Sequence, residues 1–340
     1  MSAATGQRAL GLSIASHSGL PPAAVGTLAA AAERAGFGAV FVAEGHGDAL
    51  ALCHPVAAAT QRVRVGTAIM NAALRPPVLT AKLAAQLDHA TGGRLILGLG
   101  VGNEVMNGRF GLAPFAPLPM VTEYVGVIRA VLTGQPGYDG AVFRTGAVPL
   151  DSPPVRPALP VYLAALGPRM LELAGRIADG VILNLMTPEQ AGQAAAAVRQ
   201  AAKAAGRDPG AVEVACVVHC CLSEDDEAAR AAAQEAARSA VLRYVLHPAT
   251  PRLFGDLTEA RELVLAGDRE GAAARVPQAV ADGFVAHGPA AACAARVAEY
   301  RAAGVDLPVL FPVPAGGDWV SGDWGYERTI AAMGSGGYGQ

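Results

Sequence analysis

One stretch limits what this chain can become. Val63–Asn103 reads VRVGTAIMNAALRPPVLTAKLAAQLDHATGGRLILGLGVGN. The β-branched run Val63–Met70 predicts a strand, and Asn71, Arg75, Pro76 and Pro77 predict a loop. A helical pattern follows from Val78 to about Ala90, and Gly92-Gly93 turns the chain into a second apolar run, Arg94–Leu99. Two apolar strands separated by a helix lie parallel and buried in one sheet. In such units ligands gather where strands end and loops begin. The stretch therefore predicts two walls of one site, Ala68–Asn71 and Gly100–Asn103.

The same alternation recurs along the chain. Further strands are expected at Arg8–Ala15, Gly38–Ala43, Val161–Ala165, Val181–Asn184, Val212–Leu222 and Leu307–Val313, with helices between them. Pro21-Pro22 suits the first turn of the first helix, where no amide hydrogen is needed. Eight strands alternating with helices point to an α/β fold of the (β/α)8 TIM-barrel type, ahead of an open doubly wound sheet. The expectation is one barrel domain over residues 1–333, interrupted at about 103–119, 134–158 and 247–284. Turn glycines in Gly134–Leu150 predict a hairpin there. The Gly-Ser tail 334–340 is expected to be flexible.

Composition narrows the function classes. The 340 residues are 52% hydrophobic and 16% charged, enough for a large core. Lysine plus arginine number 26 against 29 acidic residues, a net charge of −3, so no global field recruits nucleic acid or acidic membrane. The five cysteines, Cys53, Cys216, Cys220, Cys221 and Cys293, contain no CxxC pair, which argues against disulfide scaffolding. No basic segment leads into an apolar one at the N-terminus, and no run of about 18 apolar residues occurs. The expectation is a soluble, cytoplasmic protein that acts on a small molecule.

A barrel puts its chemistry at the C-terminal strand ends. There the sequence offers Ser16-His17, Glu44-Gly45-His46, Ala68–Asn71, Gly100–Asn103, Ala165–Met170, Asn184 and Phe311–Val313. Leu166-Gly167-Pro168-Arg169 opens a helix, where free amides, the helix dipole and the Arg169 charge favour an anion such as phosphate. Glu44 and His46 share one loop and suit acid–base work, with His17 a weaker candidate. Gly98-x-Gly100-x-Gly102, with Glu123 beyond it, departs from the dinucleotide-binding spacing, and that reading is rejected. Cys216 and Cys220 face one side of a strand while His219 and Cys221 face the other, so no metal set converges.

These residues carry a resemblance. Thr80–Gly102 (TAKLAAQLDHATGGRLILGLGVG) and Pro160–Asn184 (PVYLAALGPRMLELAGRIADGVILN) resemble the luciferase-like flavin and deazaflavin oxidoreductases, in particular the methylenetetrahydromethanopterin reductases that use coenzyme F420. The resemblance runs from about Leu10 to Val313. It implies a barrel with insertions, commonly a homodimer, with F420 or FMN at the C-terminal face. It also implies a non-prolyl cis peptide at Ala68–Ile69 behind the ring, with Gly100, Val101, Gly102 and Asn103 beside it and Asn71 nearby. Leu166, Gly167, Pro168, Arg169 and Met170 match the loop that holds the cofactor phosphate.

Two departures stand out. Glu44 is followed by Gly45, which displaces the expected histidine to His46, and Asn103 stands where relatives carry an acid. Proton handling would then fall to Glu104, Glu44 or His46. Leu185, Met186 and Thr187 replace the lysines of sugar-phosphate relatives, which argues against a sugar phosphate. The leading expectation is F420-dependent hydride transfer to or from a small organic substrate. An FMN-dependent monooxygenase and a non-catalytic flavin-binding relative are the alternatives.

Overall fold

The computed structural model describes residues 10–102, 104–156, 158–314 and 324–334, and for 104–106 the backbone only. Eight parallel strands form the frame: β1 (Gly11–Ala15), β2 (Ala39–Ala43), β3 (Arg64–Thr67), β4 (Leu95–Gly100), β5 (Val161–Ala164), β6 (Gly180–Asn184), β7 (Glu213–Leu222) and β8 (Leu307–Pro312). They pair in the order β7-β8-β1-β2-β3-β4-β5-β6, and a further β6–β7 pairing closes the ring. The expected TIM barrel is therefore the fold. Its strands are buried nearly throughout, because side chains fill the inside and helices cover the outside.

The helices begin as the sequence signals. Pro22–Arg34, Pro77–Thr91, Pro117–Leu132, Pro168–Ile177 and Pro188–Ala204 each open on a proline, which suits a first turn that has no amide to satisfy. Thr187 and Gln190 cap the last of these with a reciprocal capping box. No described helix is long and apolar enough to cross a membrane.

A polar cluster stands at the N-terminal end of the barrel. Arg64 at the start of β3 makes a two-pronged ion pair with Glu213 at the start of β7, at 2.6 and 3.0 Å. Tyr162 of β5 donates its hydroxyl to the same carboxylate. Burial alone would raise the Glu213 pKa, but the Arg64 guanidinium outweighs it and holds the carboxyl below its ordinary value. With the bottom tied in this way, chemistry is left to the opposite mouth.

Four features depart from the expected layout. The run Val63–Met70 is not one strand: β3 stops at Thr67, and a two-residue strand, Met70–Asn71, resumes pairing with Leu99 and Gly100. The loop expected after Gly102 contains a short helix, Glu104–Arg109, and the next helix starts at Pro117 rather than Met120. Residues 247–284 fold into four short helices, Thr250–Phe254, Thr258–Leu265, Arg269–Ala274 and Gln278–Phe284. An unanticipated strand, Val285–Gly288, then pairs with His219–Leu222, extending the β6 side of β7 at the mouth. Four residues are too few for the alternation that announces a strand.

The expected hairpin is present, with Tyr138–Asp139 antiparallel to Arg144–Thr145. Glu123, the acid weighed in the dinucleotide reading, accepts the amides of Ala141, Val142 and Phe143 at 2.9, 2.8 and 2.8 Å. Its work is to hold the hairpin against the helix Pro117–Leu132. The start of the first strand at Arg8 and the tail beyond Gly334 lie outside the described residues.

Candidate functional site

The mouth is organised by the interruption of β3. After Gly66 the β3–β4 ladder stops, and the Thr67 side chain takes over, its hydroxyl donating to the Gly98 carbonyl at 2.7 Å and accepting the Gly98 amide at 3.0 Å. The peptide between Ala68 and Ile69 is cis, as the resemblance implies. The Ile69 carbonyl accepts the Glu44 amide at 3.1 Å, which ties the bulge to the end of β2.

The glycines of β4 make room for this bulge. A Cβ on Gly98 would lie 1.9 Å from the Thr67 carbonyl oxygen, and one on Gly100 would lie 2.7 Å from Ile69 Cδ1. Gly102, at φ 66°, is left-handed, and a Cβ there would meet the Asn71 and Asn107 side chains at 2.5 Å. Asn71 Nδ2 donates to Asn107 Oδ1 at 2.8 Å, and Asn107 Nδ2 donates to the Val101 carbonyl at 2.8 Å. Bulge and glycine strand thus form one wall without protruding side chains at Gly100 and Gly102. The glycine run serves the bulge, not a pyrophosphate.

Glu44 is committed to this wall. Its carboxylate pairs with Arg75 and accepts the backbone amide of Asn71, and its own side chain is only 7% exposed. Arg75 in turn reaches Asp48 at 2.6 Å and the Asn71 carbonyl at 3.4 Å. Burial opposes the Arg75 charge, but the bonds to Glu44 and Asp48 more than offset it and hold its pKa above the ordinary value. A carboxylate held this way positions the loop.

Next to Glu44, at the ends of β1 and β2 and on round to β7 and β8, imidazoles and aromatic rings gather. His17, just after β1, packs edge-on to Trp324 with centroids 5.3 Å apart and lies 6.0 Å from exposed His46. The His17 ring sits where a side chain at position 45 would stand, since a Cβ on Gly45 would come within 2.5 Å of His17 Nδ1. Among the described residues the buried His17 Nε2 has no hydrogen-bond partner. Deeper in, His219 of β7 shares a 3.2 Å hydrogen bond with Asn184 Oδ1 and packs on Phe311 at 5.0 Å. Burial, then the charge of Arg243, then His46 push the His17 pKa down to about 4. Burial and Arg243 push His219 down to about 3. Both rings are neutral at neutral pH.

A local prediction follows from the Gly45 contact. Gly45→Ala should expel the His17 ring toward solvent and return its pKa toward the ordinary value of about 6.5. Histidine C2–H resonances followed through a pH titration report this directly. A His17 value that stays near 4 in the variant would mean the ring has not moved.

At the end of β5, Gly167 precedes the helix Pro168–Ile177 with no side-chain cap on its first amides. A Cβ on Gly167 would meet nothing within 4 Å, and Arg169 is exposed beside it. Open space, uncapped amides and a neighbouring cation fit a phosphate. Among the other residues singled out by sequence, Asn103 and the Glu104 side chain lie outside the described set, while Leu166 and Met170 are half-buried at the rim.

Residues 6–307 match the family described as luciferase-like monooxygenase. The chain belongs to that family. This luciferase-like protein is 34% identical over 203 residues to the 5,10-methylenetetrahydromethanopterin reductase of Methanolobus tindarius, covering 59% of this chain and 61% of that one. It is 36% identical over 198 residues to a putative coenzyme F420-dependent oxidoreductase of Mycobacterium tuberculosis, covering 54% of this chain and 57% of that one. The matches thus span somewhat over half the length of these curated relatives. The structure of the coenzyme F420-dependent tetrahydromethanopterin reductase of Methanopyrus kandleri superposes with a TM-score of 0.79 at 24% identity, over 97% of this chain and 98% of that chain. An F420-dependent secondary alcohol dehydrogenase superposes at 0.74 with 21% identity, over 90% and 93%. These superpositions show the fold.

Several mouth residues were not singled out by sequence: Arg75, Asn107 and Trp324. None had a local signal. Arg75 looks like an ordinary loop cation, and its partner Glu44 is 31 positions away.

Proposed function

We propose that this luciferase-like protein is a coenzyme F420-dependent oxidoreductase that moves a hydride between the deazaflavin and a small organic substrate. The observation that carries this reading is the flat wall where the bulge meets Gly100 and Gly102, with the uncapped helix start at Gly167 one strand further round. When bound, the deazaflavin supplies a carbon that accepts or donates a hydride. Ala68 and Ile69 would back its ring, Gly100, Val101 and Gly102 would flank it, and Asn71 would fix the spacing between the two walls. Within the turn Leu166–Met170 the amides of Gly167 and Arg169, with the Arg169 side chain, would hold its phosphate. Pro168 has no amide hydrogen, and the Met170 amide donates to the Gly167 carbonyl.

The residues facing this wall would orient the substrate and manage its proton. His46 and His17 are the assigned pair, one exposed and one sheltered, and Glu104 and Asn103 are placed by sequence at the rim of β4. Glu44 keeps Arg75 and the bulge in place. The family's description as monooxygenases favours a second reading, in which reduced FMN and oxygen take the place of F420. Turnover separates the two. With reduced F420 and a panel of ketones, imines and unsaturated acids, the first reading expects substrate-dependent oxidation of the deazaflavin without oxygen uptake. Oxygen-consuming turnover with reduced FMN and none with F420 would support the second.

A further inference from the structure

Asn184 is the last residue of β6, and the backbone turns sharply just beyond it. Leu185 is left-handed at φ 58°, the one described residue other than glycine with a positive φ. Leucine rarely adopts that conformation. It is held by its own neighbour, since the Leu185 amide donates to Asn184 Oδ1 at 2.9 Å. An amide N–H can only donate, so the atom facing it is the oxygen and the orientation of the Asn184 carboxamide is settled. The same oxygen lies 3.2 Å from His219 Nε2. Nε2 therefore carries the ring proton and donates it, and among the described residues the buried Nδ1 is left without a partner.

With two donors on Oδ1, Nδ2 is the free end of the side chain. Among the described residues it has no hydrogen-bond partner, and half-buried Asn184 leaves it at open surface. Strand register places that surface in the mouth. Glu213 crosses the barrel interior to Arg64 of β3, four strands away, so every second residue of β7 from Glu213 to His219 faces inward. Asn184 meets His219 on that inner side. Two residues below it, Ile182 Cδ1 lies 2.8 Å from where a Gly98 Cβ would stand. The next inward residues are Asn184 on β6 and Gly100 on β4, with Ala164 of β5 between them. The amide thus looks onto the floor of the mouth beside the flat wall.

We propose that Asn184 donates from Nδ2 to a carbonyl oxygen of the substrate, with His219 as the positioning residue that keeps the amide in this orientation. This rests on the hydride-transfer reading and narrows its substrate to a ketone or aldehyde. In the reductive direction a hydride from the reduced deazaflavin forms a C–H bond at the carbonyl carbon, and the π pair moves to oxygen. The proton assigned to the His46–His17 pair completes the hydroxyl, so the carbonyl is reduced and the deazaflavin oxidised. Negative charge grows on the oxygen during this step, where a fixed N–H donor acts most strongly.

The probes are cyclohexanone and methylenecyclohexane, which share a ring and differ in the acceptor, titrated into the full-length protein with and without F420. The readouts are the two affinities and the Asn184 side-chain amide signal in proton–nitrogen correlation spectra. The parent should bind the ketone about tenfold more tightly than the alkene, and only the ketone should shift that signal. Asn184→Asp keeps the oxygen that faces Leu185 and His219 but has no N–H to donate, and Asn184→Ala has neither. Both should lose the preference while F420 affinity stays unchanged. In turnover with cyclohexanone and reduced F420, Asn184→Asp should lower kcat about 100-fold. His219→Phe should weaken the ketone preference, and His219→Gln, whose amide can donate to Oδ1, should restore most of it.

No ketone preference in the parent under either condition would overturn the proposal, as would a preference that survives in folded Asn184→Asp and Asn184→Ala. A loss confined to Asn184→Asp would assign the effect to its charge, and an equal loss of F420 affinity would assign the amide to the cofactor. Either result also overturns it. A ketone preference that depends on Asn184 in a protein that fails to bind F420 would leave the carbonyl contact standing and remove the deazaflavin reading.

Discussion

Gly98→Ala is expected to destabilise the protein by about 4 kcal/mol, at the upper end of what one added methyl group does. The reason is the partner. The new Cβ would lie 1.9 Å from the Thr67 carbonyl oxygen and 2.8 Å from Ile182 Cδ1. A side chain can rotate away, but the Thr67 carbonyl belongs to the backbone that leads into the bulge. Moving it breaks the two bonds by which the Thr67 hydroxyl replaces the missing ladder. Urea unfolding of the two proteins gives the difference. A loss below about 1 kcal/mol would mean that bulge and β4 are not locked together as described. Thr67→Val is the companion variant: it removes both hydroxyl bonds without a clash and should cost about 1–3 kcal/mol.

Glu44→Gln should cost about 3 kcal/mol, although it alters only one charged group. Arg75 and Glu44 have side chains 10% and 7% exposed, so the neutral amide leaves a sheltered guanidinium with Asp48 as its remaining anion. Asp48 is 45% exposed and better screened, so it offsets only part of the loss. The same change weakens the hold on the Asn71 amide and loosens the wall. Affinity for F420 should therefore fall about tenfold along with stability. Were Glu44 a proton donor and nothing more, the variant would keep its stability and its cofactor affinity and lose only turnover. Denaturant melts and cofactor titrations on one preparation tell these cases apart.

The barrel was legible because its evidence is local. Each strand carries a short apolar run, most helices open on proline or a cap, and the alternation repeats often enough to specify the closed form. The break in Val63–Met70 was legible only through the family resemblance, which implies the cis peptide, because no glycine or proline marks Ala68–Ile69. What stops the ladder is a hydroxyl at Thr67 reaching a glycine 31 residues away. The glycines Gly98, Gly100 and Gly102 were visible as a run, but their reason is what presses on them from β3.

The candidate site divides along the same line. Gly167–Arg169 could be read from helix-end physics, since proline at the first turn and a following arginine are adjacent in sequence. Glu44 could be found as a loop acid, but its commitment to Arg75 is a tertiary fact. His17 ranked below His46 because nothing in sequence shows that it occupies the space above Gly45.

The central claim is that the wall at Ala68–Asn71 and Gly100–Gly102, with the helix start at Gly167, receives a deazaflavin. Equilibrium titration of the purified protein with F420 and, separately, with FMN tests it most directly. The account predicts saturable binding of F420, at least about tenfold tighter than FMN, with the anionic end of F420 lost on Arg169→Ala. Tight FMN binding with no affinity for F420 would contradict it.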